Sequence, residues 1–206
     1  VDDRHFPNYY SFFQDGIFLV SWEASTSIIT EENLKWMDEQ FQLPVAKNAK
    51  FRFVIGHMPL YSVAQERDSK GNVLEHPDKL RALLERYKVH TYVSGHQHAF
   101  YPGKRGNLQL LNTGAAGSGP RSWLTQELPP TNTITIMDLF YGSGDIQYTT
   151  YEIKEKKASD MQVFDIHKLP SAIFGVNGYQ LRSDREKFKE GKGRFNVFKE
   201  RNDIST

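Results

Sequence analysis

Cysteine is absent from the 206 residues of this chain. Disulfide bonds, thiolate metal ligands and cysteine nucleophiles are therefore excluded together. Long apolar runs are also absent, since none approaches the roughly 18–20 residues of a transmembrane helix. A strong excess of one charge is missing too, because the formal net charge is only +1. We therefore expect neither a membrane segment nor a nucleic-acid-binding patch.

The residues that are present have the composition of a folded domain. Hydrophobic residues make up 38% of the chain and aromatic residues 13%, which favours a packed core over disorder. The length suffices for one domain or for part of a larger one. The chain begins with Val1 and shows no signal peptide. We expect it to be a piece of a longer protein.

Local patterns predict strands and helices in alternation. Residues 8–25 predict two strands joined by a turn that contains Asp15 and Gly16. A helix is predicted over residues 30–41, where Thr30 is a suitable N-cap residue. A second helix is predicted over residues 76–87, which carry leucines at helical spacing.

Two short apolar segments, residues 51–57 and 89–96, are predicted strands that each end in Gly-His. Together with the helices they give the order strand, helix, strand, helix, strand. This order predicts an α/β layered fold, in which functional sites lie outside the carboxyl ends of the strands. Further strands are predicted over residues 107–113, 132–142 and 145–154.

Three histidines stand at these predicted strand ends. His57 closes one strand, and His96 and His98 form a G-H-x-H after the next. Neutral imidazole is a common ligand of divalent transition metals. Two histidines at this spacing can bind adjacent metal ions if the backbone bends, which we expect Gly95 to permit. The three together predict a metal centre.

Other families with an H-x-H motif fit the sequence poorly. A metallo-β-lactamase needs an aspartate two residues after the second histidine, where this chain has Phe100. A cupin needs a glutamate shortly afterwards, and AFYPGKRG has none. An amidohydrolase places H-x-H on its first strand, whereas strand–helix units precede it here.

The segments VIGHMPLYS, YVSGHQHAFYPG and LLNTGAAGSG resemble the later metal-ligand motifs of the calcineurin-like metallophosphoesterases. Within that superfamily they are most similar to the purple acid phosphatase-like subgroup. The resemblance covers roughly residues 5 to 154. It implies part of a four-layer α-β-β-α sandwich, with residues 1–155 as the carboxyl-terminal portion of the phosphoesterase domain and residues 156–206 as a polar extension.

The resemblance also implies a site with two metal ions, divalent or trivalent, of iron, zinc or manganese. His57 and His96 would bind the second metal ion and His98 the first. The other ligands of the family come from D-x-H, G-D and G-N-H-[D/E] motifs, which we expect before Val1. The catalytic histidine of the family lies there as well, so we expect no catalytic residue in this chain and little or no activity from it alone.

Several other residues are candidates for the site. Tyr61, Tyr101 and Arg121 are predicted to contact substrate, because they follow the ligand segments or lie in a glycine-rich loop near them. The D-x-H spacing recurs at residues 3–5 and 165–167, but neither is accompanied by the further motifs that a site needs. His76 and His90 are predicted to be structural or surface residues. Neither these two histidines nor the two D-x-H segments are assigned to the metal centre.

Two functions follow from this reading of the sequence. The first is metal-dependent hydrolysis of phosphoesters, with this chain supplying the histidines of the second half of the site. The partners are then the phosphoester substrate and the missing amino-terminal half, covalently joined or associated after cleavage. The alternative is a truncated or degenerate phosphatase-like module with a structural or partner-binding role. The resemblance favours a secreted or periplasmic location.

Overall fold

A computed structural model describes residues 2–125, 128–153, 161–169, 172–174 and 180–183. Three α-helices are present in these ranges, α1 (Glu31–Gln42), α2 (Pro44–Asn48) and α3 (Pro77–Arg86), together with a short 3-10 helix, Ile166–Lys168. The strands are β1 (Asp2–His5), β2 (Tyr9–Gln14), β3 (Ile17–Ser21), β4 (Phe51–Gly56), β5 (Thr91–Ser94), β6 (Phe100–Arg105), β7 (Leu108–Thr113), β8 (Asn132–Phe140), β9 (Asp145–Ile153), β10 (Met161–Val163), β11 (Ala172–Phe174) and β12 (Gln180–Ser183).

A mixed main sheet forms the centre of the structure, with the strand order β1-β2-β3-β4-β5-β7-β6-β12-β11. Its middle strands β3, β4, β5 and β7 run parallel. They are short and largely apolar, as expected for strands that are covered on both faces. Gly56 pairs with Ser94 in the register of β4 and β5. The residues that directly follow these two strands therefore emerge at the same edge.

Helices α1 and α3 cover one face of the main sheet. Phe18 of β3 packs edge-on against Phe41 of α1, with ring centroids 5.8 Å apart. Thr30 caps α1, because its side chain accepts a hydrogen bond from the amide of Asn33 at 3.0 Å. Leu80 and Leu84 of α3 are fully buried. The two helices and the cap agree with the patterns that predicted them.

A second sheet, in the order β10-β9-β8, covers part of the opposite face of the main sheet. The hydroxyl of Tyr148 in β9 contacts Thr91 of β5 in a buried hydrogen bond. Tyr141 packs edge-on against Phe51 of β4, with ring centroids 5.3 Å apart. The layers therefore run helices, main sheet, second sheet, and the α/β class expected from the sequence is confirmed.

The structure adds strands that local patterns did not predict. β6 contains Pro102 and Gly103, both unfavourable in strand interiors, yet it pairs along its whole length with β7. Parts of the predicted extension, residues 156–206, also join the sheets, since β10 pairs with β9 and β12 with β6. The boundary at residue 155 stays a prediction. Among the described residues no helix is long and apolar enough to span a membrane.

Candidate metal centre

The parallel register of β4 and β5 brings two of the three predicted ligands together. His57 follows β4 directly, and His96 lies two residues after β5. The amide of Gly95 donates to the carbonyl of His57 at 3.1 Å, which ties the two strand ends to each other. The side-chain nitrogens His57 Nε2 and His96 Nδ1 are 3.1 Å apart.

The bend in the G-H-x-H segment lies at the histidines themselves. His96 has φ +60° and His98 has φ +56°, the left-handed region, whereas Gly95 is not in this region. Gly95 was expected to permit the bend, and the positive φ falls on the two histidines that follow it. Left-handed backbone at a residue with a side chain costs about 1–3 kcal/mol, and such conformations cluster at functional sites. The conformation turns the His96 and His98 side chains towards different surroundings.

The nitrogen pair of His57 and His96 fits a shared metal ion. Two nitrogens bound to one ion at about 2.0–2.1 Å lie roughly 2.9 Å apart at a right angle and about 3.4 Å apart at a tetrahedral angle. The observed separation of 3.1 Å falls between these values. His98 is not part of this pair, and within the described residues no group of three or more His, Cys, Asp or Glu side chains is placed to hold a metal ion.

The ring of His98 is oriented by the glycine-rich segment that follows β7. His98 Nδ1 lies 3.0 Å from the carbonyl oxygen of Gly119. A carbonyl oxygen only accepts hydrogen bonds, so Nδ1 carries the proton and the lone pair of the neutral ring is on Nε2. The amide of Arg121 donates to the carbonyl of His98 at 2.9 Å. This second bond holds the glycine-rich segment beside the histidine.

Two arginines border the histidines. Arg67 Nη1 lies 3.4 Å from His96 Nε2, and Arg121 pairs with the exposed Glu66 at 2.5 Å. The Nε atoms of both arginines are buried and have no hydrogen-bond partner among the residues that the structure describes. Burial and the nearby Arg67 guanidinium lower the pKa of His96 to about 4. His96 is therefore neutral at neutral pH, as a metal ligand must be.

The three residues predicted to contact substrate differ in their contacts and in their exposure. Arg121 is near His98 as described, but the side chains of Tyr61 and Tyr101 are almost fully buried. The Tyr61 hydroxyl donates to Asp78 at 3.1 Å, and its ring lies under the guanidinium of Arg105. The burial of both rings favours packing over contact with a substrate.

The histidines that were not assigned to the metal centre lie elsewhere in the structure. His90 is buried, and its Nδ1 accepts a hydrogen bond from the amide of Arg52 at 3.1 Å. His76 is exposed, directly before α3. His5, from the first D-x-H segment, stacks on Tyr9, with ring centroids 4.3 Å apart. All three stand apart from the pair formed by His57 and His96.

Residues that the sequence reasoning missed surround this site. Asn72 Oδ1 lies 2.9 Å from His96 Nε2, and Arg67 donates to the same oxygen at 2.9 Å. Gln97, between the two histidines of the H-x-H, is fully buried and binds the loop that carries both residues. Their roles depend on contacts across 24 to 34 positions of sequence, so no local pattern indicates them.

A family model for calcineurin-like phosphoesterases matches residues 4–100 of the chain. Over these residues the chain is similar to the calcineurin-like phosphoesterases. The matched residues include His57, His96 and His98, so all three candidate ligands lie in the matched region. A comparison with curated protein sequences gives no match.

Solved structures of similar fold include a purple acid phosphatase from yellow lupin (Lupinus luteus) seeds, 14% identical with a TM-score of 0.51, over 76% of this chain and 31% of that chain. The anchor in the inner membrane complex of Plasmodium is 15% identical with a TM-score of 0.44, over 95% of this chain and 64% of that chain. The likeness to the lupin enzyme shows the fold. The chain spans about a third of the length of that enzyme.

Proposed function

We propose that the chain forms part of a metal-dependent phosphoesterase with a dinuclear metal site. The observation that carries this proposal is the convergence of His57 Nε2 and His96 Nδ1 to 3.1 Å, at the carboxyl edge of two parallel strands. The match of residues 4–100 to the calcineurin-like phosphoesterases supports the reaction class. His57 and His96 hold one metal ion, and His98 holds the other through Nε2.

The chain's own residues contribute ligands and positive charge to this reaction. When bound, the metal ions supply a water nucleophile at neutral pH and offset charge on the phosphoryl oxygens. Arg67 and Arg121 stand beside the histidines, and their buried Nε–H groups have no acceptor within the described part of the chain. We assign these two guanidiniums to the phosphoryl oxygens of the ester, because arginine matches their geometry well.

The remaining ligands are proposed to come from a further polypeptide segment, covalently continuous with this chain or associated with it. The surface next to the site supports this proposal. Phe12 and Ile55 of the main sheet and Met137 of β8 lie on the faces where the two sheets meet, yet each is more than a third exposed. Added strands that continue the second sheet past β8 would cover this open inter-sheet face.

Metal binding by the isolated chain tests the ligand assignment. We expect weak binding of Zn²⁺ or Mn²⁺ by calorimetry at neutral pH, and at least a tenfold loss of affinity in His57→Ala or His96→Ala. His76→Asn is the matched control, because His76 is exposed, has left-handed backbone that asparagine tolerates and lies outside the site. Equal affinity in all variants would contradict the assignment.

A hydrolysis assay tests whether the metal site is divided between this chain and a further polypeptide segment. The isolated chain is expected to show no metal-dependent turnover of an aryl phosphate, and activity is expected once a segment with the D-x-H, G-D and G-N-H motifs is added. Turnover by the isolated chain would show that it holds a complete site.

The open inter-sheet face also favours the alternative function, a partner-binding module without catalysis. In that case the partner covers Phe12, Ile55 and Met137 but brings no carboxylate ligands. The two functions separate in one measurement, because only the phosphoesterase assembly gains tighter metal binding when the partner is added.

A further inference from the structure

The loop between β4 and α3 places a carboxamide against His96. Asn72 Oδ1 lies 2.9 Å from His96 Nε2. The same oxygen accepts a hydrogen bond from Arg67 Nη1 at 2.9 Å. On its other side, Asn72 Nδ2 donates to Ser69 Oγ at 2.7 Å. Each polar atom of the carboxamide therefore has a defined neighbour.

The arginine determines which way the carboxamide faces. A guanidinium donates hydrogen bonds and never accepts them, so the atom that faces Arg67 is the oxygen. This oxygen can only accept, so His96 Nε2 must carry a proton to bond with it. Arg67 Nη1 and His96 Nε2, 3.4 Å apart, are then two donors that share one acceptor.

This arrangement favours the Nε2–H tautomer of His96. With the proton on Nε2, the lone pair of the neutral ring is on Nδ1, the atom 3.1 Å from His57 Nε2. A metal ion needs that lone pair. Histidine ligands commonly donate their other N–H to a carboxylate or carbonyl oxygen, and this partner sets both the tautomer and the ring orientation.

Gln97 holds the loop that carries Asn72. Its side-chain oxygen accepts hydrogen bonds from the amides of Val63 and Ala64, each at 3.0 Å, and its Nε2 donates to the carbonyl of Asn72 at 3.0 Å. Gln97 is itself fully buried. Because Gln97 is the neighbour of His96 in the chain, the carboxamide and the imidazole are held by one connected unit.

We propose that Asn72 is a positioning residue for His96, that its carboxamide oxygen keeps the ring in the Nε2–H tautomer, and that Arg67 keeps the carboxamide facing the ring. The Nδ1 lone pair of His96 then points to the position shared with His57. The metal part of this inference rests on the proposed function. The tautomer part concerns the metal-free chain and stands without it.

The tautomer is measured by long-range ¹H–¹⁵N correlation spectra of the imidazole rings in the metal-free ¹⁵N-labelled chain at pH 7.5. We expect His96 to carry its proton on Nε2. In Asn72→Leu, which removes the acceptor, we expect a mixture of tautomers. In Asn72→Asp, which keeps an oxygen at this position, we expect the Nε2–H form to persist. Ser69→Ala is the control, because it removes the other contact of the carboxamide.

Affinity for Zn²⁺, measured by calorimetry on the same proteins, provides the second readout. We expect a 10- to 100-fold loss in Asn72→Leu, the range typical for the loss of such partners. Asn72→Asp and Ser69→Ala should stay close to wild type. Amide spectra of β4 and β5 show whether each variant keeps the fold.

Two results overturn the positioning role. The first is a wild-type His96 with its proton on Nδ1, which needs no substitution to detect. The second is an Asn72→Leu variant with unchanged tautomer and unchanged Zn²⁺ affinity. If the wild-type chain binds no Zn²⁺, the proposed function fails, and the tautomer comparison still decides the role of Asn72.

Discussion

At the scale of single residues, Gly56 shows why the first Gly-His begins with glycine. A Cβ atom at this position would lie 2.3 Å from the Tyr92 hydroxyl oxygen and 2.5 Å from Trp22 Nε1. Both of these side chains are almost fully buried, so neither can easily move away. Gly95 differs, because a Cβ there would meet His57 Nδ1 only at 3.8 Å. The first glycine is therefore required by packing and the second is not.

Gly56→Ala is expected to lower the free energy of unfolding by about 1–3 kcal/mol, the usual cost of overpacking a core. The measurement is the midpoint of urea unfolding. Gly117→Ala is the matched control, since a Cβ there meets no atom of the described residues within 4 Å. Equal midpoints for the two variants would show that the packing around Gly56 is looser than these distances indicate.

At the scale of elements, β1 is joined to α1 through one buried carboxylate. Asp2 accepts hydrogen bonds from Trp36 Nε1 and Gln40 Nε2, each at 3.2 Å. Arg4 Nε donates to the other carboxylate oxygen at 2.9 Å. The hydrogen bond from Arg4 is the largest influence that lowers the pKa of Asp2, and burial opposes it.

The contribution of Asp2 is expected to depend on pH. Its pKa is lower in the folded chain than the value of about 3.9 in an unfolded chain. The ionised carboxylate therefore stabilises the fold above about pH 4, and this stabilisation is lost as the pH falls further. Asp2→Asn should cost about 1–3 kcal/mol at pH 6 and progressively less towards pH 3.

Urea unfolding of wild type and Asp2→Asn at several pH values measures this difference. Asp3→Asn is the control, because Asp3 is exposed in the same strand. A difference that stays constant from pH 6 to pH 3 would rule out the ionised form of Asp2 as its source.

At the scale of the whole molecule, the two sheets overlap only in part. Tyr148 of the second sheet covers Thr91 of the main sheet, and Tyr141 in the turn between β8 and β9 covers Phe51. Beyond them, Phe12 is 36% exposed and Ile55 is 40% exposed on the same face of the main sheet. Apolar surface of this kind, next to an edge strand, is a site for association.

We expect the isolated chain to bind a hydrophobic dye and to self-associate at high concentration. Replacing Phe12 and Ile55 with threonine, which suits strands, should reduce dye fluorescence at least twofold with little loss of stability. Val45→Thr is the control, since Val45 is 38% exposed but lies on α2. Dye binding that is the same in the double variant and the control would place the association surface elsewhere.

Much of the architecture could be predicted from the sequence, because the patterns that indicate turns, caps and helices each lie within a few residues. The turn at Asp15 and Gly16 has positive φ at both residues, as its sequence indicates. The N-cap Thr30 and the helical spacing of leucines in α3 act within a few residues of each other. Strand β6 was not predicted, because Pro102 and Gly103 disfavour strands locally and only pairing with β7 overrides them.

The sequence by itself determined the alternation of strands and helices from β2 to β5, the positions of the three histidines at strand ends and the family they resemble. Hydrophobic periodicity and helix caps depend on residues that are close in the chain, so the local sequence is enough to predict them. Only the tertiary structure decided that His57 and His96 meet, that the positive φ lies at His96 and His98, and that Asn72 and Arg67 contact the ring of His96 from a loop that Gln97 holds. These depend on strand register and on hydrogen bonds between residues far apart in the chain, which no local pattern encodes.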